Sequence, residues 1–95
     1  MLVLRFHATV KRGRHAEAIQ LLKDSGDQMP SVSEWRIFEP VVGDNDVITF
    51  DLWFENMEEL SAFIAELNSP EGQDGLKDWY EVTTGVTNEL LNVVG

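Results

Sequence analysis

The stretch from Asp46 to Glu55, DVITFDLWFE, constrains the fold more than any other part of the chain. Its residues alternate with period two, which is the repeat of a β-strand. The even-numbered side is wholly apolar and holds Ile48, Phe50, Leu52 and Phe54. The odd-numbered side mixes Trp53 with carboxylates such as Asp51. These two faces predict a sheet that helices cover on one side, while its other side meets a partner or lines a cavity.

The composition predicts one small acidic domain over residues 1–95, because 43% hydrophobic residues are enough for a single core. The formal net charge of −10 opposes binding to nucleic acid or to an anionic membrane surface, since both need clustered lysine and arginine. The absence of cysteine excludes disulfides and thiolate metal sites. No apolar run reaches the roughly 18 residues of a membrane helix. The first ten residues alternate like a strand rather than a signal peptide, so the default expectation is a cytoplasmic location.

Residues 1–10 form the first predicted strand. Its apolar face consists of Leu2, Leu4, Phe6, Ala8 and Val10. A helix should follow from about Arg14 to about Lys23 and end over residues 24–27. Residues 32–42 then read as a second strand.

This second strand and the stretch Asp46–Glu55 are predicted to form a hairpin, with residues 43–45 as the turn. In a tight, unbulged hairpin, the numbers of facing residues sum to an odd value. This parity places Trp35, Ile37 and Val41 on the apolar face, and Arg36 and Phe38 on the face of Asp51 and Trp53. Because Pro40 cannot donate a ladder hydrogen bond, the second strand should lie at a sheet edge or carry a bulge, which would reverse the parity beyond it.

The remainder of the chain predicts two helices and a strand. Asn56 can cap the first of these helices, with Glu59 three residues later as in a capping box. Its apolar stripe consists of Met57, Leu60, Phe63, Ile64 and Leu67. A shorter helix should run from Gln73 to about Glu81, with Leu76, Trp79 and Tyr80 as its contacts. Thr84 and Gly85 should turn the chain into a last strand, Val86–Val94.

The order of these elements predicts an α+β, ferredoxin-like βαββαβ domain. In this fold a four-stranded antiparallel sheet has strand order 4-1-3-2 and carries both helices on one face. The first and third strands are then central neighbours, and their even-numbered residues face the helices. Their odd-numbered residues share the other face, and these include Arg5, His7, Asp51 and Trp53.

Four segments carry a family resemblance: LVLRFHATVKRGR, RIFEPVVGDNDVITFDLWFEN, ELNSPEG and ELLNVV. In these segments the chain resembles the dimeric α/β-barrel proteins, especially small antibiotic-biosynthesis-monooxygenase-like and NIPSNAP-like members. The resemblance implies a homodimeric α/β barrel, in which two subunits pack sheet to sheet around an interior that can hold a ligand. Relatives include cofactor-independent oxygenases of aromatic polyketides or quinols, haem-degrading enzymes, and proteins without an assigned activity.

Five residues are candidates for a site on this face. A histidine paired with a carboxylate can act as a general base, so His7 and Asp51 are the candidate catalytic pair. Arg5 can hold an anionic or enolate oxygen, and Trp53 offers a flat wall to an aromatic ligand. Arg36 adds a second positive group at the margin.

A purely structural role for the same residues is the alternative. Arg5 or His7 would then pair with Asp51 inside a dimer interface, and Trp53 would pack across it. Arg36 would form a salt bridge with Glu34 or Asp51, which is the assignment that we favour for this residue.

Neither a metal nor a cofactor is expected. The sequence has no metal-ligand spacing, no nucleophile elbow and no glycine-rich phosphate loop. The haem-degrading relatives ligate iron through a histidine on the second helix, whereas residues 56–81 contain none. Lys11-Arg12-Gly13-Arg14 does not match the phosphate loop of the acylphosphatases, which share this fold.

Three functions therefore remain open. The chain is a cofactor-independent monooxygenase-like enzyme acting on a small aromatic substrate, a non-catalytic module that binds a small molecule in the barrel, or a protein-interaction module whose barrel is filled by its own side chains. The expected partner in each case is a second copy of the chain, docked through the open sheet face.

Overall fold

The computed structural model describes residues 1–95 and contains a four-stranded antiparallel sheet with helices against one face. Its elements are β1 (Leu2–Val10), α1 (His15–Gly26), β2 (Glu34–Phe38), β3 (Val47–Phe54), α2 (Met57–Leu67), α3 (Pro70–Gly75), α4 (Lys77–Val82) and β4 (Thr83–Asn92). The strand order β2-β3-β1-β4 confirms the predicted ferredoxin-like α+β fold, with β1 and β3 as central neighbours. None of the helices has the length and apolar character needed to cross a membrane.

The register between β2 and β3 confirms the predicted parity. Trp35 faces Leu52 and Arg36 faces Asp51, so the residue numbers of facing pairs sum to an odd value. β2 lies at the sheet edge, as Pro40 predicted, but it ends at Phe38. The prediction that Val41 lies on the apolar face is wrong: the chain leaves the sheet before Pro40, and Val41 is 98% exposed.

The core lies between the sheet and the helices, on the predicted even-numbered face of β1 and β3. One buried cluster consists of Ala8, Val10, Ala18, Ile48, Trp79 and Val82, and a second consists of Leu52, Phe54, Leu60 and Phe63. Phe50 packs against both clusters and therefore joins them. The helix-covered face of the sheet is thus the one that the alternation indicated.

The helices differ from the sequence predictions at their ends. α1 continues to Gly26 rather than stopping near Lys23, and the Gln20 side-chain amide donates to Asp24 one turn later, at 2.9 Å. The helix predicted from Gln73 to Glu81 is instead two short helices, α3 and α4. Ser69 begins α3 by accepting a hydrogen bond from the Gly72 backbone N–H, with proline in the first turn.

The apolar stripe of α2 is narrower than predicted. Leu60 and Phe63 are buried, whereas Met57 and Ile64 are exposed on the margin of the helix. The capping pattern is also shifted. Asn56 accepts from the Glu59 backbone N–H, but the Glu59 carboxylate accepts from the backbone N–H of Glu55 rather than of Asn56.

β4 begins three residues earlier than predicted. Thr84 and Gly85 lie within the strand rather than in a turn, because α4 leads into it directly. The junction is fixed by the Thr83 hydroxyl, which donates to the Trp79 carbonyl at 3.0 Å. Trp79 is buried, as expected, while Tyr80 is mostly exposed.

The end of α1 leads to a testable prediction about packing. Gly26 is buried, and a Cβ placed on it would lie 2.3 Å from Cε2 of Trp35, which packs against the second core cluster. We expect Gly26→Ala to lower the free energy of unfolding by about 1–3 kcal/mol, because overpacking outweighs the gain in helix propensity of roughly 1 kcal/mol. Urea denaturation measures the change.

The control for this substitution is Gly75→Ala at the end of α3, where an added Cβ meets nothing within 4 Å. This variant should be as stable as the wild type or slightly more stable. Equal effects of the two substitutions would show that the contact with Trp35 does not determine the stability of the α1 end.

Candidate functional site

The sheet face opposite the helices, here called the open face, gathers the predicted site residues. It presents the odd-numbered residues of β1 and β3, together with their neighbours on β2 and β4. Arg5 lies directly opposite Asp51, and Val3 lies directly opposite Trp53. Because all four predicted residues of β1 and β3 follow the same alternation, they share this face, as predicted.

Arg5 and Asp51 form a bidentate ion pair on the open face. Arg5 Nε donates to Asp51 Oδ1 at 2.8 Å, and Nη2 donates to Oδ2 at 2.9 Å. Asp51 is only 2% exposed, whereas the Arg5 side chain remains partly accessible. The hydrogen bonds from Arg5 to Asp51, together with the negative charge of Asp51, raise the pKa of the Arg5 guanidinium, and the charge of Glu89 adds to this. Both carboxylate oxygens of Asp51 are therefore committed to Arg5.

His7 contacts different residues from those expected. Its Nδ1 lies 3.1 Å from Thr49 Oγ1, and its Nε2 lies 3.3 Å from Glu89 Oε1. The proposed pairing of His7 with Asp51 is therefore replaced by a pairing with Glu89, because Arg5 occupies both oxygens of Asp51. Neither Glu89 nor Thr49 was singled out from the sequence.

A signal for Glu89 was nevertheless present. Glu89 is the only charged residue of β4, whose remaining residues are apolar, threonine, asparagine or glycine. It lies directly opposite Arg5 and reaches diagonally to His7, two residues further along β1. Assigning it to the site required the register between β4 and β1.

Trp53 supplies the apolar part of the open face. It is half-buried, and its Nε1 is buried without a hydrogen-bond partner within the chain. Val3 lies between Trp53 on β3 and Leu91 on β4, and it is only 4% exposed although no helix covers it. The side chains around Val3 thus build an apolar floor at one end of the face, with an orphaned indole donor beside it.

Arg36 lies at the margin of the face, as predicted. Its Nε and Nη2 both donate to Glu34 Oε1, at 2.8 and 2.6 Å. The sequence analysis offered Glu34 and Asp51 as partners of Arg36, and the structure pairs Arg36 with Glu34. Asp51 therefore pairs with Arg5 alone. Both partners are exposed, so the pair contributes little to stability.

Two shallow depressions lie near the loop between β2 and β3. One has a volume of about 260 Å³ and is lined by residues 10–13, 15, 39, 40, 45 and 46. The other, of about 290 Å³, includes Phe38, Val42, Val47 and Thr49. Neither is lined by Arg5, His7, Asp51 or Trp53.

Comparison with known proteins yields similarity in structure alone. No family model matches the chain, and no curated protein matches it. An uncharacterized NIPSNAP domain protein from Burkholderia xenovorans has a TM-score of 0.80 at 15% identity, covering 99% of this chain and 95% of that one. A NIPSNAP-like domain protein from the same organism has a TM-score of 0.78 at 20% identity, covering 98% and 84%.

A third similar structure is a candidate antibiotic biosynthesis monooxygenase from Chloroflexus aurantiacus J-10-fl. Its TM-score is 0.78 at 17% identity, and the match covers 99% of this chain and 93% of that one. At these identities the similarity shows a shared fold. This confirms, for the fold, the resemblance to NIPSNAP-like and antibiotic-biosynthesis-monooxygenase-like proteins that was inferred from the sequence.

Proposed function

We propose that the chain is a homodimeric α/β-barrel protein that binds a small hydroxylated aromatic molecule between two open faces. In this proposal His7 takes a proton from the ligand, as the first step of a cofactor-independent oxygenation. One observation carries the proposal. The same uncovered sheet face presents an imidazole, His7, with a hydrogen-bond partner at each ring nitrogen, and a half-buried indole, Trp53.

Dimerisation is supported by the apolar groups that no helix covers. They are Phe38, Val47, Trp53 and Leu91. Phe38 is 44% exposed in the single chain. Apolar groups left on an uncovered sheet face favour burial against another surface, and a second copy of the same face is self-complementary under two-fold symmetry.

The spacing on the face favours a ligand with fused rings. His7 and Trp53 lie opposite Thr49 and Val3, so they are separated by four residues, or about 13 Å, along the strands. A bicyclic or tricyclic ligand that lies between the indole and the imidazole can contact the indole with its rings and place an oxygen near the imidazole. The indole N–H, unpaired within the chain, offers a further donor to such a ligand or to the second subunit.

The charges favour a neutral hydroxyl over a ligand that is already anionic. Arg5 and Arg36 are both neutralised by carboxylates, and Glu89 adds a negative charge. Arg5 uses only Nε and Nη2 on Asp51, so its remaining N–H groups are free to hold the oxygen that becomes anionic when His7 takes the proton. Asp51 then orients Arg5 rather than accepting the proton.

The reaction class is oxygenation with dioxygen as the oxidant. The deprotonated ring system supplies the electrons, and the hydroxyl group and one ring C–H become the two C=O groups of a quinone. The new C=O takes one oxygen atom of dioxygen, and the second leaves as water with the two hydrogens that the ring has lost. Within this reaction the chain's residues bind the ring, remove the proton and hold the anionic oxygen.

An interaction module is the second candidate, and one observation favours it. The charged side chains of the open face already pair within the chain, as Arg5–Asp51, Arg36–Glu34 and His7–Glu89. A face whose charged side chains already have partners within the chain can be buried against a second copy without any ligand.

The test joins assembly to ligand binding. Light scattering should give about twice the chain mass of 10.8 kDa at micromolar concentration, and a monomer there would refute the barrel. Titration with 2-naphthol should quench tryptophan fluorescence in the wild type and in Trp35→Phe, whose indole lies on the helix side, but not in Trp53→Phe.

The variant His7→Ala separates the candidate functions. Weaker 2-naphthol binding with an intact dimer supports the ligand site. A loosened dimer, together with a wild type that binds no naphthol, would instead establish the interaction module.

A further inference from the structure

Three groups from three strands form a row on the open face. Glu89 on β4 lies 3.3 Å from His7 Nε2, and Thr49 on β3 lies 3.1 Å from His7 Nδ1. His7 stands between them on β1, directly opposite Thr49. The row is therefore a carboxylate, an imidazole and a hydroxyl in sequence.

The chemistry of the two outer groups determines where the imidazole proton resides. An ionised carboxylate can only accept hydrogen bonds, so the nitrogen that faces Glu89 carries the hydrogen. In neutral His7 the lone pair is then on Nδ1, and the Thr49 hydroxyl donates to it. The hydrogen bond at one ring nitrogen thus selects the role of the other.

We infer that Glu89 is a positioning residue: it holds His7 in the tautomer protonated at Nε2, so that Nδ1, which accepts from the Thr49 hydroxyl, is the atom that takes up a proton when the ligand loses its own. This inference rests on the proposed function for its proton-transfer step. The ligand O–H bond breaks as its proton bonds to Thr49 Oγ1, the Thr49 O–H bond breaks as that proton bonds to Nδ1, and the electrons of the ligand O–H bond stay on the ligand oxygen. Glu89 remains ionised and faces the imidazolium that results.

Glu89 is better placed for this role than Asp51. Both oxygens of Asp51 accept from Arg5, whereas Glu89 contacts His7. Glu89 is also close enough to Arg5 for its charge to support the cationic guanidinium. A single carboxylate on β4 thereby acts on both the proton acceptor and the group that holds the anionic oxygen.

The tautomer can be measured without any ligand. The chain has only two histidines, so a His15→Gln variant identifies the ring signals of His7 in a ¹⁵N NMR spectrum. At a pH where His7 is neutral, the wild type should show a protonated Nε2 and an unprotonated Nδ1. Glu89→Gln should shift the signals towards a mixture of tautomers, because the amide can donate as well as accept.

The control for Glu89→Gln is Thr87→Ala, which changes the β4 residue directly opposite His7 and leaves Glu89 in place. It should retain the wild-type tautomer. A wild type protonated at Nδ1, or a Glu89→Gln protein with an unchanged tautomer, would overturn the inference. If Glu89 acts only as a surface charge, the Glu89→Gln protein should show an unchanged tautomer.

Ligand affinity tests the proton-acceptor step separately. Glu89→Gln should weaken 2-naphthol binding by about tenfold, the order of one hydrogen bond to a charged or developing charged group. It should leave the affinity for 2-methoxynaphthalene, which has no proton to give, unchanged. Equal losses for both ligands would refute the assignment of Nδ1. If the wild type binds neither ligand, both the proposed function and this proton-transfer step are refuted. The NMR measurement of the His7 tautomer still tests the positioning role of Glu89 in that case.

Discussion

Replacing Phe50 with alanine is expected to lower the free energy of unfolding by about 3–5 kcal/mol, the range for truncating a large aromatic residue in a core. The Phe50 ring stacks on Phe6 with centroids 4.6 Å apart and meets Trp79 edge-on at 5.8 Å. It also packs against both buried clusters, so its loss separates them. The expected change is a large share of the roughly 5–15 kcal/mol that stabilises a domain of ordinary size.

Urea denaturation at one fixed protein concentration measures this loss, since a dimer's stability depends on concentration. Tyr80→Ala is the control, because Tyr80 is another aromatic residue but is 58% exposed, and we expect it to change stability by less than about 1 kcal/mol. If Phe50→Ala also costs less than about 1 kcal/mol, Phe50 does not join the two clusters in solution.

Removing the Asp51 carboxylate should have the second-largest effect. Asp51 is nearly inaccessible to solvent, and its two oxygens accept both hydrogen bonds of the Arg5 pair. We expect Asp51→Ala to cost about 2–4 kcal/mol, because it leaves Arg5 without its partner. The loss should be smaller than for a fully buried pair because Arg5 keeps contact with solvent.

The pH dependence of this ion pair follows from the shift in the pKa of Arg5. Asp51 raises the pKa of Arg5, so the folded-state value lies above the unfolded one. The stabilisation is therefore complete below the unfolded pKa and is lost only as the pH rises through the still higher folded pKa. Denaturation of the wild type and Asp51→Ala between pH 7 and 9 should thus give the same difference at each pH.

Two further variants test the origin of the Asp51 effect. Arg5→Met combined with Asp51→Leu should recover most of the lost stability, since an apolar pair leaves no unpaired charge. Arg36→Met breaks the exposed pair with Glu34 and should change stability by less than about 1 kcal/mol. If the double variant is as unstable as Asp51→Ala alone, the unpaired charge of Arg5 is not the cause.

Alternation and turn chemistry in the sequence were sufficient to predict the sheet. The even-numbered residues of β1 and β3 face the helices, as expected, and β2 ends before Pro40, which cannot donate a ladder hydrogen bond. These features are local. The side chains of a strand alternate because of its covalent geometry, and a proline lacks a backbone N–H donor at any position in the chain.

The element ends depended on contacts that the sequence does not display. α1 reaches Gly26, where the Trp35 indole packs so closely that a Cβ would collide with it. Val41 leaves the apolar face because β2 stops before Pro40. Glycine and proline signal a break in either case, but they do not show at which residue the element ends.

For the candidate site, the sequence alone determined that Arg5, His7, Asp51 and Trp53 share one face. Only the tertiary structure decided that Asp51 pairs with Arg5, that His7 pairs with Glu89, and that Thr49 completes the row. Strand alternation is set within a few residues, whereas these pairings depend on the register between β1, β3 and β4. Glu89 stands 82 residues from His7 in the chain, so no local pattern could have joined them.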